Sequence, residues 1–224
     1  ATYARVVETG VPVRFERHLP PLGRWLSVYA CPRGGRRFAA LFTDVTARVA
    51  AEAALRAGAA RQAFLLALSD ALRPLEEAAE VQEEATRLLR EHLDAGWCYY
   101  VEWDEAAGRA VVLRDATRDG LPSLAGTHDM LDEPAFLGLL RTGTVLNVAD
   151  YARFDGLSPT LRVRYTALGF RSMLVASLVK RGRLVASLIV GDTEVRDWAA
   201  DEEALLVEVA ERTWAAVERA RAEA

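Results

Sequence analysis

The chain has 224 residues, of which 28 are basic and 32 acidic, and its formal net charge is −4. This balance argues against a nucleic-acid-binding module, which usually carries a strong basic excess. Its 51% hydrophobic residues are enough for a sizeable core, and no apolar run approaches the roughly 20 residues that span a bilayer. The two cysteines, Cys31 and Cys98, fit neither a disulfide framework nor a zinc site, which favours a cytoplasmic location. We therefore expect neither nucleic acid nor a membrane as a partner.

Residues 1–45 predict three short antiparallel strands. Val11–Leu19 alternates apolar and polar residues, and two further strands follow over 24–31 and 36–44, separated by turns that contain proline and glycine. Three strands with one apolar face are only marginally stable by themselves, so we expect another element to cover them.

A long helix is predicted over 46–73, because small and apolar residues recur there at alternating spacings of four and three. Such a seam is typical of a helix that contacts a partner along one stripe, and Pro74 should end or kink it. The seam begins with alanines and Gly58 and ends with Leu65, Leu68 and Leu72, which we expect to lie at a contact between helices.

The middle of the chain alternates between helical and strand patterns. An aromatic strand over 97–103 follows the second helix, and residues 115–129 form a turn-rich loop in this prediction. The remaining predicted elements are helices over 78–93, 134–140 and 160–168, and strands over 109–114 and 144–148.

The stretch Ser172–Val190 predicts a β-hairpin at the centre of a sheet. Two apolar runs flank the basic turn Lys180–Arg183, in which Gly182 can adopt a positive φ. Both runs are apolar on both faces, as is usual for strands in the interior of a sheet.

The last predicted helix covers residues 197–222, and its apolar residues form two stripes. A helix that is apolar on two sides contacts two partners, which we expect to be its own sheet and a second chain. The residues that we assign to this helix contact are Leu206, Val209, Thr213 and Ala216.

Two segments, GTVLNVAD at 143–150 and YTALGFRS at 165–172, resemble the GAF domain family of cytoplasmic sensor proteins, as do the hairpin and the closing helix. The resemblance covers residues 60–224. It implies an α+β fold in which helices flank an antiparallel central sheet. It also implies that the closing helix is an exit helix, which feeds a histidine kinase or another output domain in the same polypeptide.

Residues 1–45 resemble the C-terminal half of a PAS domain, through TGVPV at 9–13, GRWLSV at 23–28 and DVTAR at 44–48. The short side chains of Asp44 and Thr46 can bond backbone groups where strand gives way to helix. The helices that wall a PAS ligand cavity would precede residue 1, so we expect a longer PAS–GAF–output protein and no cofactor in this part. The predicted organisation is a PAS fragment (1–45), a connecting helix (46–73) and a GAF domain (60–224).

The resemblance also bears on cofactors. Phytochrome GAF domains attach a bilin to a loop cysteine that is typically followed by histidine, whereas Cys98 lies in a predicted strand and precedes Tyr99. We therefore expect no covalent bilin. GAF-fold methionine sulfoxide reductases use several cysteines, which a domain with one cysteine does not provide. The sequence also lacks a metal motif, a nucleophile elbow and a phosphate loop, so we expect no metal and no catalytic residues.

A GAF ligand pocket, where one exists, would lie among Trp97, Tyr99, His128, Tyr165 and Ser172. His128 could donate to an anionic or carbonyl ligand, although an exposed histidine is the commoner alternative. An apolar pocket with few polar groups would suit a small organic molecule, whose identity the sequence leaves open.

The leading functional hypothesis is a sensory or regulatory segment that forms a parallel homodimer through its two long helices. It would relay conformational change from the PAS part to a downstream output, because marginally packed helix seams can change register or crossing angle. A GAF sensor with its own small ligand is the alternative. An enzyme is the weakest hypothesis, since no nucleophile–base pair is recognisable.

Overall fold

The computed structural model describes residues 2–35 and 37–223. It comprises two compact units, Ala1–Ala63 and Phe64–Ala224, each with its own sheet. In the described part of the chain every strand pair is antiparallel, and helices accompany both sheets, so the predicted α+β class is confirmed.

The first unit contains a three-stranded sheet in the order β1-β2-β3, as predicted. The predicted third strand included Arg36, which lies outside the described residues. The first helix was not predicted, and it buries Val6. The elements of this unit are α1 (Thr2–Thr9), β1 (Val13–Leu19), β2 (Arg24–Pro32), β3 (Phe38–Asp44) and the beginning of α2 (Thr46–Leu72).

Polar side chains organise the junction between β3 and α2. The Asp44 carboxylate accepts a hydrogen bond from the Thr46 backbone N–H at 3.0 Å, and the Thr46 hydroxyl accepts one from the Trp25 backbone N–H at 2.9 Å. Both side chains thus bond backbone N–H groups where strand gives way to helix, Asp44 at the first residue of α2 and Thr46 in the neighbouring strand β2.

The second unit contains a seven-stranded sheet in the order β7-β5-β4-β10-β9-β8, with β6 paired to β4. A single-turn helix, Tyr151–Arg153, precedes α5. The elements are α3 (Ala78–Leu93), β4 (Trp97–Asp104), β5 (Arg109–Val112), β6 (Asp115–Thr117), β7 (Gly126–Asp129), α4 (Pro134–Arg141), β8 (Leu146–Val148), α5 (Pro159–Ala167), β9 (Ser172–Lys180), β10 (Arg183–Asp192) and α6 (Ala200–Glu223).

The hairpin β9–β10 lies in the interior of this sheet, as predicted, between β4 and β8. Arg181 and Gly182 have φ angles of 53° and 77°. Positive φ at both central residues is the signature of a type I′ turn, whose twist matches that of the flanking strands. The basic turn therefore sets the pairing of Arg183 with Lys180 and of Leu184 with Val179, and an irregularity between Leu184 and Ala186 shifts the register of the rest of the hairpin by one residue.

The prediction of a loop over 115–129 was wrong at both ends, because β6 and β7 lie there. These strands have three and four residues, too few to establish a period of two. They form because β4 and β5 offer edges for pairing.

Strand alternation divides the core of this unit between the two faces of the sheet. The helix-side core includes Leu68, Leu89, Leu188 and Leu206, which belong to three helices and to β10. The opposite, aromatic-side core includes the large side chains Trp97, Tyr151, Phe170 and Met173. Among the described residues, no helix combines the length and apolar character needed to cross a bilayer.

Candidate functional site

The aromatic side of the sheet contains a small cavity of about 30 Å³. A cavity of this size has room for about one to three water molecules. Three of its lining residues, Tyr99, His128 and Tyr165, were predicted to be pocket residues. The apolar part of the lining includes Val101, Val112, Leu124, Met130, Phe136 and Ile189.

Stacked aromatic rings fill most of the space beside the cavity. Trp97 stacks on Phe170 with centroids 4.0 Å apart, and Tyr165 meets Phe170 edge to face at 5.2 Å. The Trp97 indole N–H donates to the carbonyl of Pro122 at 3.0 Å. Trp97 was predicted to line the pocket, but the structure places it next to the cavity and engages its polar atom within the chain.

Gly191 makes this ring packing possible. A Cβ at residue 191 would lie 2.3 Å from a ring carbon of Phe170, well inside van der Waals contact. The glycine in β10 thus admits the ring that stacks on Trp97, a requirement that the sequence alone did not reveal.

The tyrosines around the cavity are neutral hydrogen-bonding groups. Burial raises the pKa of Tyr99 well above its ordinary value, and the neighbouring Tyr165 and Tyr151 raise it further. Burial likewise raises the pKa of Tyr165. The Tyr151 hydroxyl contacts the sulfur of Met173 at 3.2 Å. These phenols can donate to a small polar group but do not supply a base at neutral pH.

His128 lies at the rim of the cavity with both ring nitrogens engaged. Its Nε2 is 2.8 Å from the carbonyl oxygen of Leu124, and its Nδ1 is 2.6 Å from a guanidinium nitrogen of Arg164. Because Arg164 can only donate, Nδ1 accepts and Nε2–H donates. The imidazole therefore links β7 to α5, a role that the sequence analysis did not assign to it.

Ser172 does not join the other predicted pocket residues. Met173 faces the aromatic side and Leu174 the helix side, so alternation along β9 directs Ser172 to the helix side. It is completely buried there, and its hydroxyl has no hydrogen-bond partner among the described residues. The prediction placed Ser172 on the wrong face.

Cys98 also lies on the helix side, between Trp97 and Tyr99 on the aromatic side. It is completely buried, and this burial raises the pKa of its thiol. Neither its position nor the cavity volume fits a bilin, because a tetrapyrrole would need far more than 30 Å³ and a thiol on the cavity side. Within the described residues no group of three histidine, cysteine or acidic side chains could hold a metal ion.

The structure also locates the residues assigned to the helix contact. Ala216 is half-buried, whereas the other six are buried, and five of these six belong to the helix-side core of the same chain. These side chains are covered within a single chain, so the structure does not place them on an exposed surface. The six are Leu65, Leu68, Leu72, Leu206, Val209 and Thr213.

Comparison with known proteins identifies the fold. The family model described as GAF domain matches residues 77–217. No curated protein matches the chain. The GAF-like fold predicted from the sequence is thereby confirmed.

Several solved structures resemble the second unit. The GAF domain of a phosphoenolpyruvate-protein phosphotransferase (ptsP) from Coxiella burnetii is 19% identical, with 73% of this chain and 95% of that chain covered and a TM-score of 0.60. The phycocyanobilin-bound GAF domain of a cyanobacterial phytochrome is also 19% identical, with coverages of 73% and 96% and a TM-score of 0.63. The free methionine-R-sulfoxide reductase from Neisseria meningitidis is 13% identical, with coverages of 73% and 92% and a TM-score of 0.56.

Proposed function

Because the chain belongs to the GAF domain family, a type of sensory and regulatory module found in signalling proteins, we propose that it is a relay within a multidomain protein. It passes conformational change from a PAS-like N-terminal unit to a downstream output domain, with a histidine kinase as the foremost candidate. In this proposal the segment is cytoplasmic and homodimeric, and it does not catalyse a reaction.

The observation that carries the proposal is the direct bonding between α2 and α6. Arg212 of α6 donates to the Ser69 hydroxyl of α2 at 2.7 Å. Arg219 donates to the carbonyl oxygens of Leu72 and Leu75, at 2.9 and 3.2 Å, at the end of α2. A displacement of the last turns of α2 therefore acts on α6 through short, directional bonds.

The small cavity also favours a relay. At about 30 Å³ it is an order of magnitude below the roughly 300 Å³ at which ligand pockets begin. A signal that arrives through α2 needs no ligand in this space.

Exposed leucines on α2 support a homodimer. Leu55 is 74% exposed and Leu66 is 63% exposed. They are eleven residues apart, a spacing that repeats on one stripe of a helix. Apolar side chains at such positions are suited to a second copy of the same helix.

An insertion experiment in α2 tests the relay. One extra alanine after Ala57 rotates the following helix by about 100°, whereas seven residues rotate it by only about 20°. We expect the single insertion to change hydrogen exchange over 209–223 of α6, and the seven-residue insertion to leave it close to that of the unmodified chain. Equal exchange in all three chains would contradict the relay.

Substitution of Leu66 tests the dimer by native mass spectrometry. Leu66→Glu should shift the population to monomers, because it places a charge in the proposed contact. Leu131, which is 64% exposed on the segment between β7 and α4, provides the control Leu131→Glu. If the unmodified chain is monomeric, the dimer proposal is wrong.

A ligand sensor remains the second candidate, favoured by the phenol groups of Tyr99 and Tyr165 in a mostly apolar lining, with the imidazole of His128 forming part of the rim. In this case native mass spectrometry of the purified chain should show excess mass. His128→Ala should reduce the bound fraction, and Ser172→Ala should leave it unchanged, because Ser172 faces the other side of the sheet. A chain purified at its bare mass would count against this candidate.

A further inference from the structure

We propose that Asn147 couples the aromatic side of the sheet to the exit helix α6. Asn147 is the only asparagine in the sequence. This route to α6 does not involve α2. The inference therefore goes beyond the proposed relay, and the failure of one proposal would not contradict the other.

Asn147 occupies the middle of β8, a three-residue strand at the edge of the sheet. Its neighbours Leu146 and Val148 pack in the aromatic-side core. Asn147 itself pairs with Leu174, which belongs to the helix-side core, so its side chain lies on the helix side. The strand therefore contacts the aromatic residues with two side chains and α6 with the third.

The amide of Asn147 makes two bonds at the beginning of α6. Its Nδ2 donates to the carbonyl oxygen of Trp198 at 2.9 Å and to the carboxylate of Glu203 at 2.8 Å. One side chain thus holds both the segment that precedes α6 and the first turn of that helix. Any displacement of β8 acts on both.

Arg196 makes a second connection at the same place. Its backbone N–H donates to the carbonyl oxygen of Ala149, one residue beyond β8, at 3.1 Å. Its guanidinium bonds the carboxylate of Glu202 and lies over the ring of Trp198, 3.9 Å from the centroid. The end of β8 and the start of α6 are consequently held by side-chain and backbone bonds together.

The junction is nevertheless incompletely satisfied. The Oδ1 of Asn147 and the indole Nε1 of Trp198 are buried and have no hydrogen-bond partner among the described residues. Unpaired buried polar atoms are unfavourable, so these two atoms lower the stability of the present arrangement. A junction that is stabilised by few bonds and retains unpaired polar atoms shifts at a lower free-energy cost than a fully bonded one, which suits it to transmission.

The aromatic side provides the input to this junction. Val148 pairs with Met173, whose sulfur contacts the hydroxyl of Tyr151. The ring centroids of Tyr151 and Tyr165 are 5.5 Å apart, and Tyr165 lines the cavity. A change at Tyr165, by ligand or by repacking, can therefore displace β8. Asn147 then conveys this displacement to Trp198 and Glu203.

Hydrogen exchange of the full chain, measured by mass spectrometry, tests the coupling. Asn147→Asp removes the donor and places a second carboxylate beside Glu203. We expect exchange over 198–206 to rise by about tenfold, while exchange over 97–104 in β4 stays unchanged and reports global stability. Glu203→Gln in the Asn147→Asp background should recover part of the protection, because the new amide can donate to the aspartate.

A second comparison tests transmission from the cavity. Tyr165→Phe removes only the hydroxyl, and Tyr165→Ala also removes the ring. Either substitution should change hydrogen exchange over 198–206 in a chain that retains Asn147. In an Asn147→Ala background the same substitution should add no further change there. Additive effects of the two substitutions, or equal increases over 97–104 and 198–206, would overturn the proposal.

Discussion

A guanidinium nitrogen of Arg212 lies 2.7 Å from the hydroxyl oxygen of Ser69, which in turn donates to the carbonyl oxygen of Leu65 at 2.9 Å. The serine is therefore held from both sides, by α6 and by its own helix. Because the bond joins α2 to α6 directly, it is the contact at which coupling between the two helices can be measured.

Arg212→Ala and Ser69→Ala should be non-additive in the free energy of unfolding. We expect a coupling free energy of about 0.5–1 kcal/mol, since the bond involves a charged donor but is partly exposed. Urea unfolding of the single and double variants measures this coupling. Arg87, which pairs with Glu84 and Glu91 within α3, provides the control, and Arg87→Ala combined with Ser69→Ala should be additive.

Two leucines of α2 that are two residues apart should respond very differently to truncation. Leu68 is completely buried, whereas Leu66 is 63% exposed. Leu68→Ala should lower the free energy of unfolding by about 2–5 kcal/mol, because it leaves a cavity in the core. Leu66→Ala should change it by less than about 0.5 kcal/mol in the monomer. Equal losses in urea unfolding would mean that both leucines lie in one contact, as a seam between chains would require.

The sequence predicted the buried stripe of α2 but not which chain covers it. The recurrence of Leu65, Leu68 and Leu72 predicted one buried stripe, and the stripe is buried. The pattern does not distinguish a partner in the same chain from one in another, because an apolar stripe packs in the same way against either. Only the placement of α6 and α3 in the fold decides between them.

The error at Ser172 has a related cause. Both runs of the hairpin are apolar on both faces, so the sequence predicts two strands but not which residues face the cavity. The pairing of β9 with β10, in which Ser172 lies opposite Asp192, decides which residues of β9 face the cavity and which face the helices. Where the helical period was unambiguous, as in α3, or the aromatic content was high, as in β4, the sequence predicted the element correctly.

Stability of the folded chain should fall as the pH rises above neutrality, partly through Cys98. Burial raises the pKa of this thiol in the folded state, whereas an unfolded thiol titrates near pH 8.5. Above about pH 8.5 the unfolded state loses a proton that the folded state retains, which favours unfolding. The slope is at most about 1.4 kcal/mol per pH unit for one group.

Denaturant unfolding between pH 7.5 and 9.5 measures this slope, and Cys98→Ala should make it shallower. In a Cys31→Ala background, where Cys98 is the remaining thiol, a thiol reagent should modify the unfolded chain but not the folded one. Rapid modification of the folded chain would show that Cys98 is accessible, contrary to its complete burial.

Two glycines should respond to alanine with opposite sign. At Gly191 the added Cβ would lie 2.3 Å from a carbon of the Phe170 ring, which is itself stacked on Trp97. The ring cannot move without disturbing that stack, so Gly191→Ala should destabilise the chain by about 1–3 kcal/mol. Gly58, inside α2, has no atom within 4 Å of its ideal Cβ. Gly58→Ala should therefore stabilise the helix, by about 0.5–1 kcal/mol.

Thermal unfolding measured by circular dichroism distinguishes the two effects. Near-ultraviolet circular dichroism of Gly191→Ala should also change, because Trp97 loses its stacked partner. Gly58→Ala should leave that spectrum unaltered. A Gly191→Ala variant with native stability and an unchanged aromatic spectrum would mean that the ring of Phe170 has room to move, and that the aromatic side of the sheet is less tightly packed than the stacking distance of 4.0 Å indicates.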